Sequence, residues 1–238
     1  MAQRPRPRLA IPRRGFVGGL LAAGGMLAAG PALARAVSAA EERRIAFDIR
    51  REGATIGRHA VDFRREGEAL AVEIEIDISI SFAFIPVFAY RHRNRELWQG
   101  ERLQALDSET DDDGRRYRVA ARQTSAGLQV TGSGGEFLAP AEILPTSYWN
   151  PRTVAQTRLL DTQHGRLLDV APRLLGEELL DGGEAARRYR LSGDLDLDLW
   201  YSPDGEWLKT AFETRGAAVS YARRRPDDAA GDAGGSSG

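Results

Sequence analysis

The chain has 238 residues, a formal charge of −1 and no cysteine. The missing thiols exclude disulfides, thiol chemistry, cysteine-bound zinc and iron–sulfur clusters. Beyond the first arginines, charges of both signs are mixed and no basic stripe forms, which argues against nucleic-acid binding and against steering to anionic lipid.

Residues 1–34 read as a targeting signal. Arg4, Arg6, Arg8, Arg13 and Arg14 make a basic leader, and Arg13-Arg14-Gly15-Phe16-Val17 resembles the twin-arginine export motif. A Gly/Ala-rich apolar run follows from Phe16 to Gly30. Ala32-Leu33-Ala34 is a small-x-small cleavage site, with Ala34-Arg35-Ala36 the alternative. The run is short and weakly hydrophobic, so a signal is expected rather than a membrane anchor, and no transmembrane span in the mature protein. The implied export partner is the twin-arginine translocase, and the implied location is periplasmic or secreted. That route carries folded proteins, with or without a cofactor, and no cofactor is identifiable. Removing the leader arginines lowers the formal charge to about −6.

Residues 35–225 read as a single β-barrel-like domain and residues 226–238, rich in Gly, Ser and Asp, as a disordered tail. Arg44 to Arg51 is a strand with Ile45, Phe47 and Ile49 inward. Thr55 to Arg64 returns with Gly57, His59, Val61 and Phe63 on one parity, which puts His59 on the apolar face. Val72, Ile74, Ile76, Ile78, Ile80 and Phe82 then alternate with Glu73, Glu75, Asp77, Ser79 and Ser81, the clearest strand in the chain. Pro86 cannot donate to a ladder and marks a bend, a bulge or a strand start.

The strand from Val87 to Trp98 carries the central inference. One parity holds Ala89, Arg91, Arg93, Arg95 and Leu97; the other holds Phe88, Tyr90, His92, Asn94, Glu96 and Trp98. Unpaired arginine is rarely buried, so the arginine face points to water. The polar trio His92, Asn94 and Glu96 then faces the interior among aromatics, where it needs partners or a water-filled cavity. A single bulge would invert this reading.

Arg102 to Thr110 is the next strand, with Leu106, Ser108 and Thr110 on one face. Asp111-Asp112-Asp113-Gly114 is a hairpin turn and lacks the further ligands of a calcium loop. Tyr117, Val119 and Ala121 face inward on the following strand, and Ser125-Ala126-Gly127 turns into Leu128 to Thr131. Pro140 to Pro151 is the longest irregular stretch and contains Tyr148 and Trp149. It reads either as a plug that closes one end of the sheet or as a lid over a cavity. A short helical turn is expected at Arg152 to Thr157.

Thr157 to Asp161 pairs with Arg166 to Val170, with His164 in the turn and expected in solvent. Leu174 to Leu180 pairs with Ala185 to Leu191. Leu195, Leu197, Leu199 and Tyr201 alternate with Asp194, Asp196, Asp198 and Trp200, the pattern of a solvated sheet face rather than a cation site. Trp207 to Thr214 and Ala217 to Arg223 close the series. The fold class is therefore all-β: an antiparallel meander of about a dozen strands curled into a barrel or half-barrel, with few or no long helices.

Glu96-Leu97-Trp98-Gln99-Gly100, followed by Leu103, Leu106, Ser108, Thr110 and Gly114, and preceded by Gly57-Arg58-His59, resembles an uncharacterised family of exported bacterial proteins, a domain of unknown function. The likeness runs from about Ile45 to Tyr221 and implies no activity and no catalytic residue. More loosely, the meander resembles the half-barrels of periplasmic lipoprotein carriers, which wrap a curved sheet around a hydrophobic ligand. This chain lacks their lid helices.

Three functions compete. The first is a binding module for a hydrophobic, lipid-like or amphipathic small molecule, lined by Phe88, Tyr90, His92, Asn94, Glu96, Trp98, Tyr148 and Trp149, with Phe82 and Phe84 as further aromatics. The second is a metal-dependent or acid–base enzyme using His59, His92 and Glu96, which requires strands to bring these groups together. The third is a structural or assembly role in the cell envelope through a sheet edge or the Asp194 to Asp198 face.

Overall fold

The computed structural model describes residues 43–224. The export signal over 1–34 and the tail over 226–238 lie outside the described residues. The strands are β1 (Arg43–Arg51), β2 (Ala54–Glu66), β3 (Ala69–Phe82), β4 (Ile85–Gln99), β5 (Arg102–Asp112), β6 (Arg115–Thr124), β7 (Gly127–Gly132), β8 (Gly135–Ala139), β9 (Leu144–Pro145), β10 (Arg158–Leu160), β11 (Leu167–Leu179), β12 (Ala185–Gly193), β13 (Leu197–Tyr201), β14 (Trp207–Thr214) and β15 (Ala217–Arg223), with one 3-10 helix at Pro151–Ala155. Among the described residues no helix is long and apolar enough to cross a membrane.

All the strands join one 15-stranded sheet in the order β8-β7-β6-β5-β4-β3-β2-β1-β15-β14-β13-β12-β11-β10-β9. Neighbours are antiparallel except β9 and β10, which run parallel. The strand count exceeds the dozen read from the sequence: β8 and β9 are too short to show a period, while β10 stands where a strand is expected and β11 runs through the two strands expected at Arg166 to Val170 and Leu174 to Leu180. The sheet curls on itself without closing, and residues 140–143 link its two ends directly. The open seam is bridged by turns: Ser133 N donates to His164 O at 2.9 Å. Backbones meet so closely there that a Cβ on Gly132 would sit 2.5 Å from His164 O, which is why glycine stands at that position.

Alternation in β3 and β4 builds both surfaces of this wall. Val72 and Ile74 face the core, while Asp77 pairs across strands with Arg91 at 3.2 Å and Arg93 at 2.9 Å. These exposed pairs each contribute at most about 1 kcal/mol. The interior is packed by Phe47, Trp98, Leu106, Leu128, Leu160 and Trp207, all fully buried. The side chains of Trp98 and Trp207 each contribute on the order of 2–3 kcal/mol through removal from water.

One outward face departs from the sequence reading. Every residue of β13 is buried, including Asp198 and Trp200 on the outer side. Asp198 accepts from Arg188 and Arg190, and Trp200 lies under the Arg188 guanidinium and the Lys209 ammonium and packs with Ala186 and Leu208. The Trp200 indole also donates to Glu178 of β11. Asp194 and Asp196 are exposed as expected, but Asp198 and Trp200 belong to a small second cluster under a charged cover rather than to a solvated ladder.

The β3–β4 hairpin outruns its neighbours. β2 reaches only Ile78, and β5 reaches only Tyr90, so residues 79–88 form a two-stranded ribbon without a single charged side chain. Ala83 and Phe84 form its turn with φ of 48° and 68°, a conformation that suits Asn-Gly and strains both residues. Phe84 is 102% exposed, which corrects its placement among the interior aromatics. Replacing Ala83-Phe84 by Asn-Gly therefore removes strain without removing packing. The expected result is tenfold slower native-state amide exchange in the ribbon, equivalent to about 1.4 kcal/mol. Unchanged or faster exchange would show that the turn is not strained.

Candidate functional site

The register of β4 is unbroken from Phe88 to Leu97, and its irregularities fall at Ile80/Ser81 on the β3 side and Leu97/Trp98 on the β5 side. His92, Asn94 and Glu96 therefore all point inward and are buried, with the arginines outside. From the mouth downward the inward row reads Phe88, Tyr90, His92, Asn94, Glu96 and Trp98, and these levels have different surroundings.

At the bottom Glu96 is 0% exposed and has no cationic partner. Its Oε2 accepts from the indole Nε1 of Trp98 at 2.9 Å and of Trp149 at 3.0 Å, and its Oε1 accepts from Asn94 Nδ2 at 2.9 Å. The Ser147 hydroxyl is a fourth donor. Burial pushes the Glu96 carboxyl above its usual range, against the pull of these hydrogen bonds. The carboxylate is the anchor that draws the Thr146–Asn150 segment into the barrel.

That segment is the inner end of the long irregular stretch. Tyr148 has φ of 61°, and Trp149 N donates to Ser147 O at 2.9 Å, which makes a tight three-residue turn centred on Tyr148. The Tyr201 hydroxyl donates to Tyr148 O at 2.7 Å. Glu96 grips both neighbours of Tyr148, and Tyr201 grips Tyr148 itself, so the strained conformation is held from three sides. Asn150 caps the 3-10 helix by accepting from Arg152 N at 3.0 Å.

Above this plug lies a cavity of about 300 Å³. Its lining mixes apolar Ile74, Ile76 and Leu168 with polar His59, Tyr90, His92, Asn94, Tyr148 and Thr162. It reaches the surface beside Arg166 and Asp194, both exposed. Two further depressions lie over β3–β7, lined mainly by charged residues, and against the β11–β12 hairpin, where charged residues mix with Leu179, Leu180 and Leu208.

His92 Nδ1 is 2.8 Å from Thr110 Oγ1, and its Nε2 is 3.5 Å from Thr162 Oγ1. Burial lowers its pKa to about 4; Asp161 opposes that shift and Arg93 adds to it. His59 sits edge-on among Phe47, Trp207 and Tyr221, with ring centroids 6.1, 5.1 and 5.5 Å away. Burial, then the neighbouring His92, lowers its pKa to about 3. Neither His59 ring nitrogen has a hydrogen-bond partner, and nor does Asn94 Oδ1. At neutral pH both imidazoles are uncharged.

The β10–β11 turn supplies the remaining wall. Asp161 accepts from Gln163 N at 2.9 Å and from His164 Nδ1 at 2.9 Å, and it pairs with Arg166 at 3.2 Å. Ser108 donates to Thr162 O, and the Tyr90 hydroxyl donates to Gln163 Oε1 at 3.2 Å. His164 is thus half-buried and stacked edge-on against Tyr117 at 4.7 Å, not free in solvent as its turn position suggested. The signal that could have flagged this turn is Asp161 itself, since an aspartate two residues before a turn amide commonly organises one.

The eight expected lining residues divide. Tyr90, His92, Asn94 and Tyr148 line the cavity; Glu96, Trp98 and Trp149 form the packed floor beneath it. Phe88 sits half-buried at the rim with the Arg215 guanidinium 5.8 Å from its ring centre. The set His59, His92 and Glu96 is not brought together. His59 and His92 lie on β2 and β4 with Ile76 between them, Glu96 is two levels below His92 with both oxygens occupied, and no metal-holding group of three is found among the described residues.

A family described as a domain of unknown function (DUF6134) matches residues 47–224. No curated protein matches the chain. Among solved structures, the crystal structure of a beta-barrel-like protein of domain of unknown function DUF1849 from Brucella abortus is similar over 77% of this chain and 96% of that one, with a TM-score of 0.57 and 9% identity. At that identity the likeness concerns the fold alone.

Proposed function

The chain belongs to the DUF6134 family, and on that premise, with no activity attached to the family, we propose that it is an exported binding module whose interior cavity holds a small amphipathic molecule. The observation that carries the reading is the cavity of about 300 Å³ above Glu96, where apolar side chains stand beside a few buried polar ones. The strained Tyr148, held in place by buried groups with no other evident use, supports the same reading, because strain of this kind persists where the surroundings over-determine it. Export rests on the Arg13-Arg14 leader. The volume lies at the lower end for ligand pockets, so it suits a compact molecule rather than the acylated chains of a lipoprotein.

Native mass spectrometry of the protein taken from the periplasm of its own host, without detergent, tests the reading. The expected result is excess mass that is released on denaturation as one small molecule. Absence of the protein from the periplasm would overturn the export part. A bare polypeptide mass, together with no binding of any small amphipathic probe, would overturn the binding part.

A further inference from the structure

We propose that the cavity selects an uncharged molecule bearing hydrogen-bond donors, a hydroxyl or an amide N–H, which it presents to Asn94 Oδ1 and to the unprotonated ring nitrogen of His59. This rests on the reading of the cavity as a binding site and names the chemistry of its occupant.

The argument begins with unpaired atoms. Asn94 is 4% exposed and His59 is 3% exposed, and both line the cavity. Asn94 spends its amide nitrogen on Glu96, which fixes the side chain so that Oδ1 is left without a donor. A buried carbonyl with no partner is costly, and such atoms in native proteins call for water, an ion or a ligand. His59 is similar. The surrounding aromatic rings can accept weakly from its N–H, but no ring can donate to its lone pair. Both vacancies are therefore acceptors, and whatever fills the cavity must supply donors.

Charge narrows the class. A carboxylate would face these same acceptors, and the one guanidinium on the wall, Arg166, is already paired with Asp161. A cation would have to use Asp161, which is taken up by Arg166, His164 and the turn amides, or Asp194, which is exposed at the mouth and accepts from Asp169 N. The burial that keeps His59 uncharged, and His92 uncharged despite Asp161, acts equally against an ammonium group. A neutral donor meets none of these costs, and Ile74, Ile76 and Leu168 accept its apolar part. Tyr148, aimed into the cavity by its strained turn, completes the wall.

The test uses four probes of one chain length at pH 7: 1-octanol, octanamide, octanoate and octylammonium. They are titrated into the whole exported protein, labelled with ¹⁵N so that the Asn94 amide and the imidazole nitrogens report. Octanol and octanamide are expected to bind at least about tenfold more tightly than either charged probe, and to shift the His59 and Asn94 signals. Asn94→Leu and His59→Leu are each expected to weaken the neutral probes by about tenfold and to leave the charged ones unchanged. Equal or tighter binding of octanoate or octylammonium would overturn the class and leave the binding module standing. Neutral binding without shifts at His59 and Asn94 would do the same. If no probe binds, the cavity holds only water and the binding reading falls too. The wild-type series decides the matter even where a variant fails to fold.

Discussion

Glu96→Ala is expected to lower folding stability by about 3–5 kcal/mol, while Glu96→Gln is expected to cost no more than about 1 kcal/mol. The alanine variant leaves two indole N–H groups, the Asn94 amide and the Ser147 hydroxyl facing an empty, dry space. Each buried donor without an acceptor costs on the order of 1–3 kcal/mol, partly recovered by relaxation and by water entry. It also frees the Thr146–Asn150 segment, so Tyr148 should lose its positive φ. The glutamine variant keeps an oxygen where both indoles meet. Its new amide N–H₂ would face Asn94, whose side chain can rotate to offer Oδ1, the atom that has no partner now. Glutamine also removes the cost of ionising a buried carboxyl. Urea denaturation followed by tryptophan fluorescence measures both, since Trp98 and Trp149 report on the site directly. Equal losses in the two variants would mean that the carboxylate is only a space-filler.

Lowering the pH from 7 to 5 is expected to cost about 4 kcal/mol of stability, roughly 2 kcal/mol from each of His59 and His92. Both have folded pKa values, about 3 and about 4, below the unfolded value of 6.5. A group with a depressed folded pKa contributes stability that is complete above its unfolded pKa and is lost as pH falls toward the folded one. The window thus runs from about 6.5 down to about 4 for His92 and down to about 3 for His59. Glu96 acts with the opposite sign. Its raised pKa contributes stability below the unfolded value and loses it as pH rises through the folded one. Acidification therefore weakens the protein through the histidines and partly relieves it at Glu96. Urea midpoints at pH 7, 6 and 5 give the slope, and His59→Leu should remove about half of it. A midpoint that stays constant over that range would show that one or both imidazoles are hydrated.

The part of this protein written in local sequence is the strand parity. The run from Val72 to Trp98 tells inside from outside because a pleated strand turns alternate side chains to opposite faces, and three arginines on one face leave His92, Asn94 and Glu96 no other place. The all-β class, the antiparallel meander and the inward His59 follow from the same rule applied strand by strand. The expectation of an export signal likewise rests on a few local residues, Arg13 to Val17 and the apolar run after them.

What parity does not contain is the content of the interior. Glu96 is a floor and not a ligand because Trp149, 53 positions away, turns its indole onto it. Asp198 and Trp200 are buried on the outer face because β11 and β12 bring Glu178 and Arg188 over them. His164 is held because Asp161 and Tyr117 converge on it, and Phe84 is exposed because β2 and β5 stop short of the β3–β4 turn. Each of these is a meeting of residues far apart in the chain, where side-chain volume and hydrogen-bond geometry decide and the two-residue period is silent. The sequence alone determined which parity of β4 faces inward; only the tertiary structure decided that Glu96 and Trp98 are packed while Tyr90, His92 and Asn94 border a cavity.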